Sequence, residues 1–366
     1  MTPLRPSWVE IDLGALKHNV ALVRQRVGQH VRIFAVVKSH GFGCGVAVAA
    51  KTVVEAGADA LAVGNPDDVR AIREAGITAP VLLYASTPPE AAAEVAALGA
   101  IVTLHDMESL AAFAALDRPV EAFMKVEAGL GRLGIRSEDW PAAFAAAWES
   151  NALSLTGIYT HLNGPDDRDG IARQVAAFGR AAEAGRAAGY DDLTRMVASS
   201  HIVLGYPELN YEAVNPGRCL FGLIDGHWAE RAPMRPVIAA VKSRIIQVKE
   251  FPAGERVGFL GAKPLSKATR LAVLPLGFGD GLNHQAPLGE VLVEGQRAPV
   301  VGRRGIEHTV VDVTELPAVR TGSEVVLLGR QGAGEISGAE LCGWLGLPQM
   351  ELLPRLAGTL PRLYLE

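Results

Sequence analysis

The chain has 366 residues, of which 49% are hydrophobic and 20% are charged, and its formal net charge at pH 7 is -5. This length and composition predict a globular protein with one large and one smaller domain, or with two medium domains. The slight negative charge, without any run of basic residues, argues against nucleic acid and anionic membranes as partners and favours a small solute.

The three cysteines, Cys44, Cys219 and Cys342, lie far apart in the sequence. Their odd number and wide spacing are typical of a reducing compartment, and they form no metal-ligand pattern. The opening residues MTPLRPSWVEIDL lack the pattern of a signal peptide, and no apolar run approaches the roughly 20 residues of a membrane span. We therefore expect a cytoplasmic protein without a metal site.

Short strand-like segments alternate with Ala-rich amphipathic stretches through the first part of the chain. The eight segments cover residues 31–38, 60–64, 81–86, 101–105, 120–129, 153–162, 195–200 and 211–217. Several stretches between them end in glycine, which is typical of helix C-caps. Strands that alternate with helices indicate a parallel sheet with right-handed crossovers. Eight such units in about 210 residues predict a (β/α)8 TIM-type barrel rather than an open doubly wound sheet.

The sequence pattern changes after residue 228. Val-rich alternating segments such as RPVIAAVKSRIIQVKE and EVLVEGQRAPVVG follow one another, separated by glycine-containing turns. They predict a mainly antiparallel β domain, with one short helix at SGAELCGWLG. We therefore predict an α/β barrel domain over residues 1–228 and a C-terminal β domain over residues 229–366, with which the N-terminal strand can also pack.

The first predicted barrel strand ends on a lysine, Lys38, within the stretch FAVVKSHGFGCG. One interpretation is that the side chain buries its stem and keeps its ammonium group in water. The other is an amine in apolar surroundings, where the pKa falls and the lysine can form a Schiff base with a carbonyl compound.

Other polar residues follow the predicted strands on the same side as Lys38. In a TIM-type barrel the chemistry occurs at the carboxyl ends of the strands. Arg132, in KVEAGLGRLGI, suits a carboxylate or phosphate by its forked geometry, or forms a surface ion pair. His161, at the end of the sixth strand, is a structural donor or a catalytic base.

The segment after the last two strands contains candidate phosphate donors. The loops at this end of a barrel frequently bind phosphate through hydroxyl and backbone N–H groups. The candidates are Ser199, Ser200, Gly217 and the main chain of Arg218. The serines can equally cap the following helix.

Several motifs in series resemble the alanine racemase family, and the resemblance spans nearly the whole chain. In order they are WVEIDLGALKHN, AVVKSHGFGCG, GLGRLGI, GIYTH, NPGRCLFG, PLGFGDG, VVGRRGIEH and LPRLY. The resemblance implies a fold type III barrel that binds pyridoxal 5'-phosphate (PLP), joined to a β domain. It also implies a homodimer in which each active site takes a loop from the partner's β domain.

The resemblance assigns roles to the candidate residues. Lys38 would be the Schiff-base lysine, Arg132 would lie near the phenolic oxygen of PLP and the substrate carboxylate, and His161 would lie beside the pyridine ring. Further cofactor contacts would come from Phe42, Ser199, Ser200, Asn215, Gly217 and Arg218. Substrate contacts would come from Arg132, Phe259, Ile306, Glu307 and His308.

Six positions depart from the family pattern at the chemistry. Phe259 stands where the family has a catalytic tyrosine, and Asn215 stands where it has an arginine facing the pyridine nitrogen. Phe42 and Gly358 replace the two phosphate-side tyrosines, and Ile306-Glu307 replaces a Met-Asp pair. A phenyl ring cannot accept a proton, so one face of the substrate lacks its usual base.

These departures leave three hypotheses. The first is a PLP-dependent racemase or epimerase of a small amino acid, in which His161, His40, His308 or Glu307 supplies the second base. The second is a PLP-dependent aldolase or hydroxymethyltransferase, which needs a base on one face only. The third is a non-catalytic protein that carries PLP.

Overall fold

The computed structural model describes residues 4–85, 87–257, 264–285 and 289–366. The chain divides into two compact units, one formed by Ala15–Arg235 and the other by Met1–Gly14 with Pro236–Glu366. The first unit thus extends past residue 228, where the sequence pattern changes, and the N-terminal strand groups with the C-terminal segment.

The first strand, β1 (Ser7–Asp12), belongs to the second unit. The next eight strands belong to the first unit. These are β2 (Arg32–Val36), β3 (Ala60–Val63), β4 (Val81–Leu83), β5 (Val102–Leu104), β6 (Val120–Lys125), β7 (Leu153–Tyr159), β8 (Thr194–Ala198) and β9 (Ala213–Val214). Their spatial order is β4-β3-β2-β9-β8-β7-β6-β5. A parallel bridge between Leu82 and Ile101 joins the two end strands and closes the ring.

Helices connect these parallel strands, as the alternating sequence pattern predicts. They are α1 (Leu13–Val27), α2 (Lys38–Phe42), α3 (Val46–Glu55), α4 (Pro66–Glu74), α5 (Ala92–Ala97), α6 (Met107–Ala114), α7 (Trp140–Glu149), α8 (Arg168–Ala187) and α9 (Ser200–Gly205). Three 3₁₀ turns occur at Pro89–Ala91, Pro207–Leu209 and Gly226–Arg231. The predicted (β/α)8 TIM-type barrel is confirmed.

Local signals fix where several helices begin. The Asn65 side chain accepts a hydrogen bond from the Asp68 amide, and Pro66 occupies the first position of α4, where its missing N–H costs nothing. At α6, Asp106 and Ser109 cap each other's backbone amides reciprocally. These caps fix where α4 and α6 begin, shortly after the carboxyl ends of β3 and β5.

Aromatic packing fills the barrel interior. Phe34 on β2 and Phe123 on β6 are both buried, with ring centroids 5.6 Å apart. Gly157 on β7 makes room for them, because a Cβ atom there would lie 2.5 Å from the Phe123 ring. The barrel is therefore a packed core, and its chemistry is confined to the ends of the strands.

The second unit is mainly antiparallel β structure, as predicted. Its further strands are β10 (Ile238–Arg244), β11 (Gln247–Phe251), β12 (Thr269–Leu274), β13 (Glu290–Val293), β14 (Gln296–Pro299), β15 (Thr309–Asp312), β16 (Glu324–Gln331), β17 (Gly334–Ile336) and β18 (Arg362–Leu365). One sheet has the order β14-β13-β16-β10-β1-β18, with β17 paired to β16, and the other is β11-β12-β15. β1 pairs antiparallel with β10 and parallel with β18.

Two helices, α10 (Gly338–Leu345) and α11 (Gln349–Ala357), and a 3₁₀ turn at Phe278–Asp280 complete this unit. α10 is the helix predicted from SGAELCGWLG, whereas α11 was not predicted. Within the described ranges, no helix has both the length and the apolar character needed to cross a membrane.

Candidate active site

Lys38 lies directly after β2, at the start of a turn with an unusual backbone. Ser39, His40, Gly41 and Phe42 all have left-handed backbone angles, with φ between 53° and 69°. A left-handed conformation costs roughly 1–2 kcal/mol for a residue other than glycine. Backbone bonds hold the turn, from the Gly41 amide to Val37 and from the Gly45 amide to the His40 carbonyl. Such strain beside a lysine is typical of a functional site.

The amine of Lys38 differs from an ordinary surface lysine in its electrostatic surroundings. Partial burial by neighbouring groups, followed by the positive charge of Arg132, lowers its pKa below the ordinary value. The residue as a whole is exposed, whereas neighbouring groups partly bury its amine. This combination provides an amine that a ligand can reach.

A second lysine, Lys125, ends β6 at the same end of the barrel and was not among the predicted site residues. It is 5% exposed, and its Nζ atom lies 4.6 Å from the centroid of the Tyr159 ring. Burial and the charge of Arg132 lower its pKa to about 8, although Glu127 acts in the opposite direction. The signal was available, because Lys125 ends an apolar strand just as Lys38 does.

Arg132 belongs to a glycine-rich loop that folds around a carboxylate. Glu127 accepts hydrogen bonds from the backbone amides of Gly129, at 2.5 Å, and Arg132, at 3.2 Å. Burial alone would raise the pKa of Glu127, but backbone N–H donors from this loop lower it below the ordinary value. Glu127 therefore stays charged and fixes the loop backbone from which the Arg132 side chain extends.

His161 follows β7 and completes a cluster of basic groups. Burial lowers its pKa from 6.5 to about 4, and the charges of Lys125, Arg132 and Lys38 act in the same direction. Arg132 also lowers the pKa of both lysines, so the four side chains lie within electrostatic reach of one another. Four basic groups at one barrel end form a site that favours an anion.

The predicted phosphate donors come together after β8 and β9. The Ser200 hydroxyl accepts hydrogen bonds from the amides of Gly217, at 3.0 Å, and Cys219, at 3.2 Å. The Gly217 amide thus points at Ser200, which leaves the Ser200 hydroxyl hydrogen as a donor. Ser199 immediately precedes α9, and its side chain makes no cap hydrogen bond to that helix.

The guanidinium of Arg218 contacts two residues that follow it in the chain. Its Nε donates to the Leu223 carbonyl at 3.2 Å, and its Nη2 atom lies 3.5 Å from a carboxylate oxygen of Asp225. The prediction for Arg218 concerned its main chain only, so these side-chain contacts leave that prediction untested.

Phe42 links the turn after Lys38 to the Gly217 segment. It is buried, and its ring centroid lies 4.6 Å from that of Phe221. A Cβ atom at position 217 would lie 3.3 Å from the Phe42 ring and 3.1 Å from Cβ of Val36. Glycine at position 217 therefore permits close packing between the two segments that follow β2 and β9.

Asn215 follows β9 and carries an unsatisfied polar atom. The residue is 6% exposed, and its Nδ2 donates to the Tyr84 hydroxyl at 3.1 Å. Its Oδ1 atom is buried, with no hydrogen-bond partner among the described residues. A buried amide oxygen without a partner is costly unless a ligand donates to it.

The remaining candidates belong to the second unit. Ile306, Glu307 and His308 are exposed, and the backbone of this loop is tied down because Ile306 accepts from the Gly279 amide at 2.9 Å. Phe259 lies outside the described residues, so its assignment stays a prediction. His40, named as an alternative base, is largely exposed and contacts Asp68. Within the described ranges no cluster of metal-ligating side chains occurs.

Comparison with known proteins relates both units to a single family. Residues 11–225 match the family described as alanine racemase, N-terminal domain, and residues 238–364 match alanine racemase, C-terminal domain. The alanine racemase of Desulfosudis oleivorans is 33% identical, over 98% of this chain and 96% of that protein.

Solved structures give the same result. The alanine racemase from D-cycloserine-producing Streptomyces lavendulae is 29% identical, with a TM-score of 0.89 over 100% of this chain and 98% of that one. The alanine racemase from Bacillus anthracis with bound L-Ala-P is 27% identical, with a TM-score of 0.90 over 100% and 96% of the two chains. The chain therefore belongs to the alanine racemase family.

Proposed function

We propose that this chain is a PLP-dependent racemase of a small amino acid, similar to alanine in size. The alanine racemase family uses PLP and acts on small amino acids. The observation that carries the proposal for this chain is the cluster of Lys38, Lys125, Arg132 and His161 at the carboxyl end of the barrel, since a reactive amine and several cations suit an anionic aldehyde.

The residues present fit PLP in three respects. Lys38 is a reachable amine whose pKa is lowered, as bond formation with an aldehyde requires. The surrounding cations suit the charge of a phosphate and a phenolic oxygen. The unsatisfied Oδ1 atom of Asn215 can accept a hydrogen bond from a ring N–H. Lys38 would hold the aldehyde carbon, and Ser200 would donate its hydroxyl hydrogen to the phosphate.

When bound, PLP supplies an electron-withdrawing ring that weakens the bonds at the α-carbon of an amino acid. The protein must then bind the substrate carboxylate and move protons. Arg132 suits the carboxylate because its guanidinium can bind two oxygens at once. Lys38, with its lowered pKa, carries a proton to or from the α-carbon on its own side.

Racemisation needs a second proton-transfer group on the opposite face. The resemblance places Phe259 at the position of the usual tyrosine. We propose His161 as the group that takes its place: its pKa of about 4 keeps the imidazole unprotonated at pH 7, so a ring nitrogen lone pair is free, and the proton that it accepts is readily returned. The positive charges of its neighbours Lys125 and Arg132 would then favour release of that proton.

A second candidate is a PLP-dependent aldolase or hydroxymethyltransferase acting on a β-hydroxy or α-branched amino acid. Asn215 favours it, because its free Oδ1 is an acceptor where the resemblance implies the donor groups of an arginine. An acceptor there is compatible with a protonated ring nitrogen, which draws electrons more strongly. Cleavage of a Cα–C bond also needs proton transfer on one face only.

The proposal includes a homodimer with shared active sites. Alanine racemase family members are typically dimeric. The loop 302–308 of the second unit supports this assignment, because Ile306 exposes 63% of its surface although it is a large apolar residue. In the homodimer, Ile306, Glu307 and His308 would reach the substrate of the partner subunit.

Spectroscopy and isotope labelling test the proposal together. Purified protein with added PLP should absorb well to the red of the protein band, and Lys38→Ala should abolish that band. Lys51→Ala is the matched control, because Lys51 is an exposed lysine on α3 that forms an ion pair with Glu55 on the same helix. A wild-type protein that ignores PLP contradicts every version of the proposal.

Single enantiomers of Ala, Ser and α-methylserine in deuterated water then separate the two candidates. Deuterium at Cα with inversion of configuration supports racemisation. Deuterium with retention, or release of formaldehyde from Ser or α-methylserine, supports the one-face reaction and contradicts the racemase.

A further inference from the structure

The left-handed turn after Lys38 contacts a buried carboxylate that the sequence analysis did not consider. Asp68, on the first turn of α4, has a side chain that is fully buried. Its Oδ1 atom lies 3.2 Å from Nδ1 of His40, and the backbone amide of His40 also faces the carboxylate. The first helix after β3 therefore contacts the turn at its second residue after the lysine.

The rest of the Asp68 surroundings keep the carboxylate in one orientation. The Asn65 side chain donates to Oδ2 at 2.8 Å and accepts from the Asp68 amide at 2.8 Å. Burial raises the pKa of Asp68, and the charge and amide of His40 offset part of that rise. The charged groups that face the carboxylate are His40, with the opposite charge when protonated, and the neighbouring acid Asp67.

The position of this contact connects it with the catalytic lysine. Ser39, His40 and Phe42 all have backbone angles that residues other than glycine adopt rarely, so the turn needs contacts that hold it. His40 exposes 72% of its side chain, so it does not pack in a core that would fix it. Among the described residues of α4, the contact with His40 is made by Asp68.

We propose that Asp68 is a positioning residue, whose buried carboxylate holds His40 and with it the left-handed turn that orients the amine of Lys38. The consequence for PLP binding rests on the proposed function, whereas the consequence for the turn does not. A rigid turn limits the positions that the Lys38 amine can take, which favours attack on one bound aldehyde geometry.

Hydrogen exchange in the cofactor-free protein tests the turn by itself. In Asp68→Asn, backbone amides of residues 38–45 should exchange about tenfold faster than in the wild type, because the carboxylate that faces the ring and the backbone amide of His40 is lost. The matched control is Asp67→Asn, which removes an exposed acid one residue away that pairs with Arg70. It should exchange at the wild-type rate in this segment.

PLP titration, followed by the absorbance of the lysine-linked form, tests the consequence for the site. Asp68→Asn should bind PLP about tenfold more weakly, and Asp67→Asn should bind as the wild type does. Faster exchange in a protein that binds no PLP, wild type included, would refute the proposed function and leave the positioning role intact. Wild-type exchange in a folded Asp68→Asn would overturn the positioning role.

His40→Phe keeps the test decisive if Asp68→Asn fails to fold, because it removes the ring nitrogens but lacks the preference of asparagine for the left-handed backbone of this position. Because His40 is largely exposed, its replacement leaves the core unchanged, and it should reproduce the faster exchange of residues 38–45. The double variant should exchange no faster than the faster single variant, since both substitutions remove the same contact. Independent, additive effects of the two substitutions would overturn the proposal.

Discussion

His161, at the barrel mouth, has a pKa well below that of an ordinary imidazole. Burial and three neighbouring cations lower its pKa to about 4, so its ring is neutral at pH 7 in the cofactor-free protein. An imidazole in ordinary surroundings would lose its ability to accept a proton near pH 6.5. A proton-transfer role for His161 therefore predicts an acid limit of activity well below that pH.

The lowered pKa of His161 also predicts that the stability of the folded protein depends on pH. Above pH 6.5 the ring is neutral in both the folded and the unfolded state, so it contributes no pH dependence. As pH falls from 6.5 towards 4, the unfolded state binds a proton that the folded state does not, and stability is lost. On moving from pH 8 to pH 4.5, His161→Gln should therefore lose less stability than the wild type, by on the order of 2 kcal/mol.

Urea unfolding of the cofactor-free proteins at both pH values measures this difference. The control is His30→Gln, since His30 lies exposed before β2 and its ring meets water in both states. That variant should lose as much stability as the wild type does. Equal losses in His161→Gln and the wild type would show that the basic cluster does not perturb His161.

Three of the residues that the sequence identified at the site share one property, which is that they follow a barrel strand within two residues. Lys38, His161 and Asn215 could be named because strand ends are visible in the pattern of apolar residues. Glu127 and Asp68 could not, because their importance depends on which backbone amides and rings the folded chain brings to them. Lys125 was visible by the same rule as Lys38 and was overlooked.

Among the elements, helix α8 contains three glycines, and the surroundings of Gly179 and Gly185 differ. A Cβ atom at Gly179 would meet nothing within 4 Å, whereas one at Gly185 would lie 3.1 Å from the Phe144 ring. Gly179→Ala should therefore stabilise the protein by about 0.5–1 kcal/mol, because alanine loses less backbone entropy in a helix.

Gly185→Ala is the matched comparison in the same helix, and it should gain nothing or lose stability, because Phe144 or the helix must shift. Thermal and urea unfolding of both variants measure the effect. If the two substitutions changed stability equally, packing between α8 and α7 would not be as close as the structure has it.

The sequence predicted the elements wherever local pattern and fold agree. All eight barrel strands lie within or overlap the predicted segments, because parallel strands buried on both faces form clear apolar runs. The left-handed turn at Ser39–Phe42 could not be predicted, since three of its residues are not glycine. Helix α11 was missed because Pro354 interrupts a pattern that otherwise buries Leu352, Leu353 and Leu356 on one face.

In the whole molecule, the residues proposed for catalysis and the loop proposed for the dimer belong to different units of the chain. The amine, the guanidinium and the imidazole all belong to the unit Ala15–Arg235, whereas the exposed loop 302–308 belongs to the other unit. In the proposed homodimer a role for that loop in catalysis depends on assembly, which makes self-association the property to test.

Ile306→Asp should weaken self-association and reduce amino-acid turnover while PLP binding at Lys38 persists. Ile306 is 63% exposed, and Phe278, whose amide bonds to the same loop, is 39% exposed, so an apolar surface of this unit faces solvent in the single chain. A buried carboxylate in an interface costs several kcal/mol, which suffices to shift a dimer towards monomers. Sedimentation velocity should show the shift, and the absorbance of bound PLP should remain, because its proposed ligands all come from the barrel unit.

Met350→Asp serves as the control, since Met350 is an exposed apolar residue of the same unit as Ile306, on α11, and its substitution should leave the dimer intact. A dimeric and fully active Ile306→Asp variant would mean that this loop takes no part in the assembly or in the site.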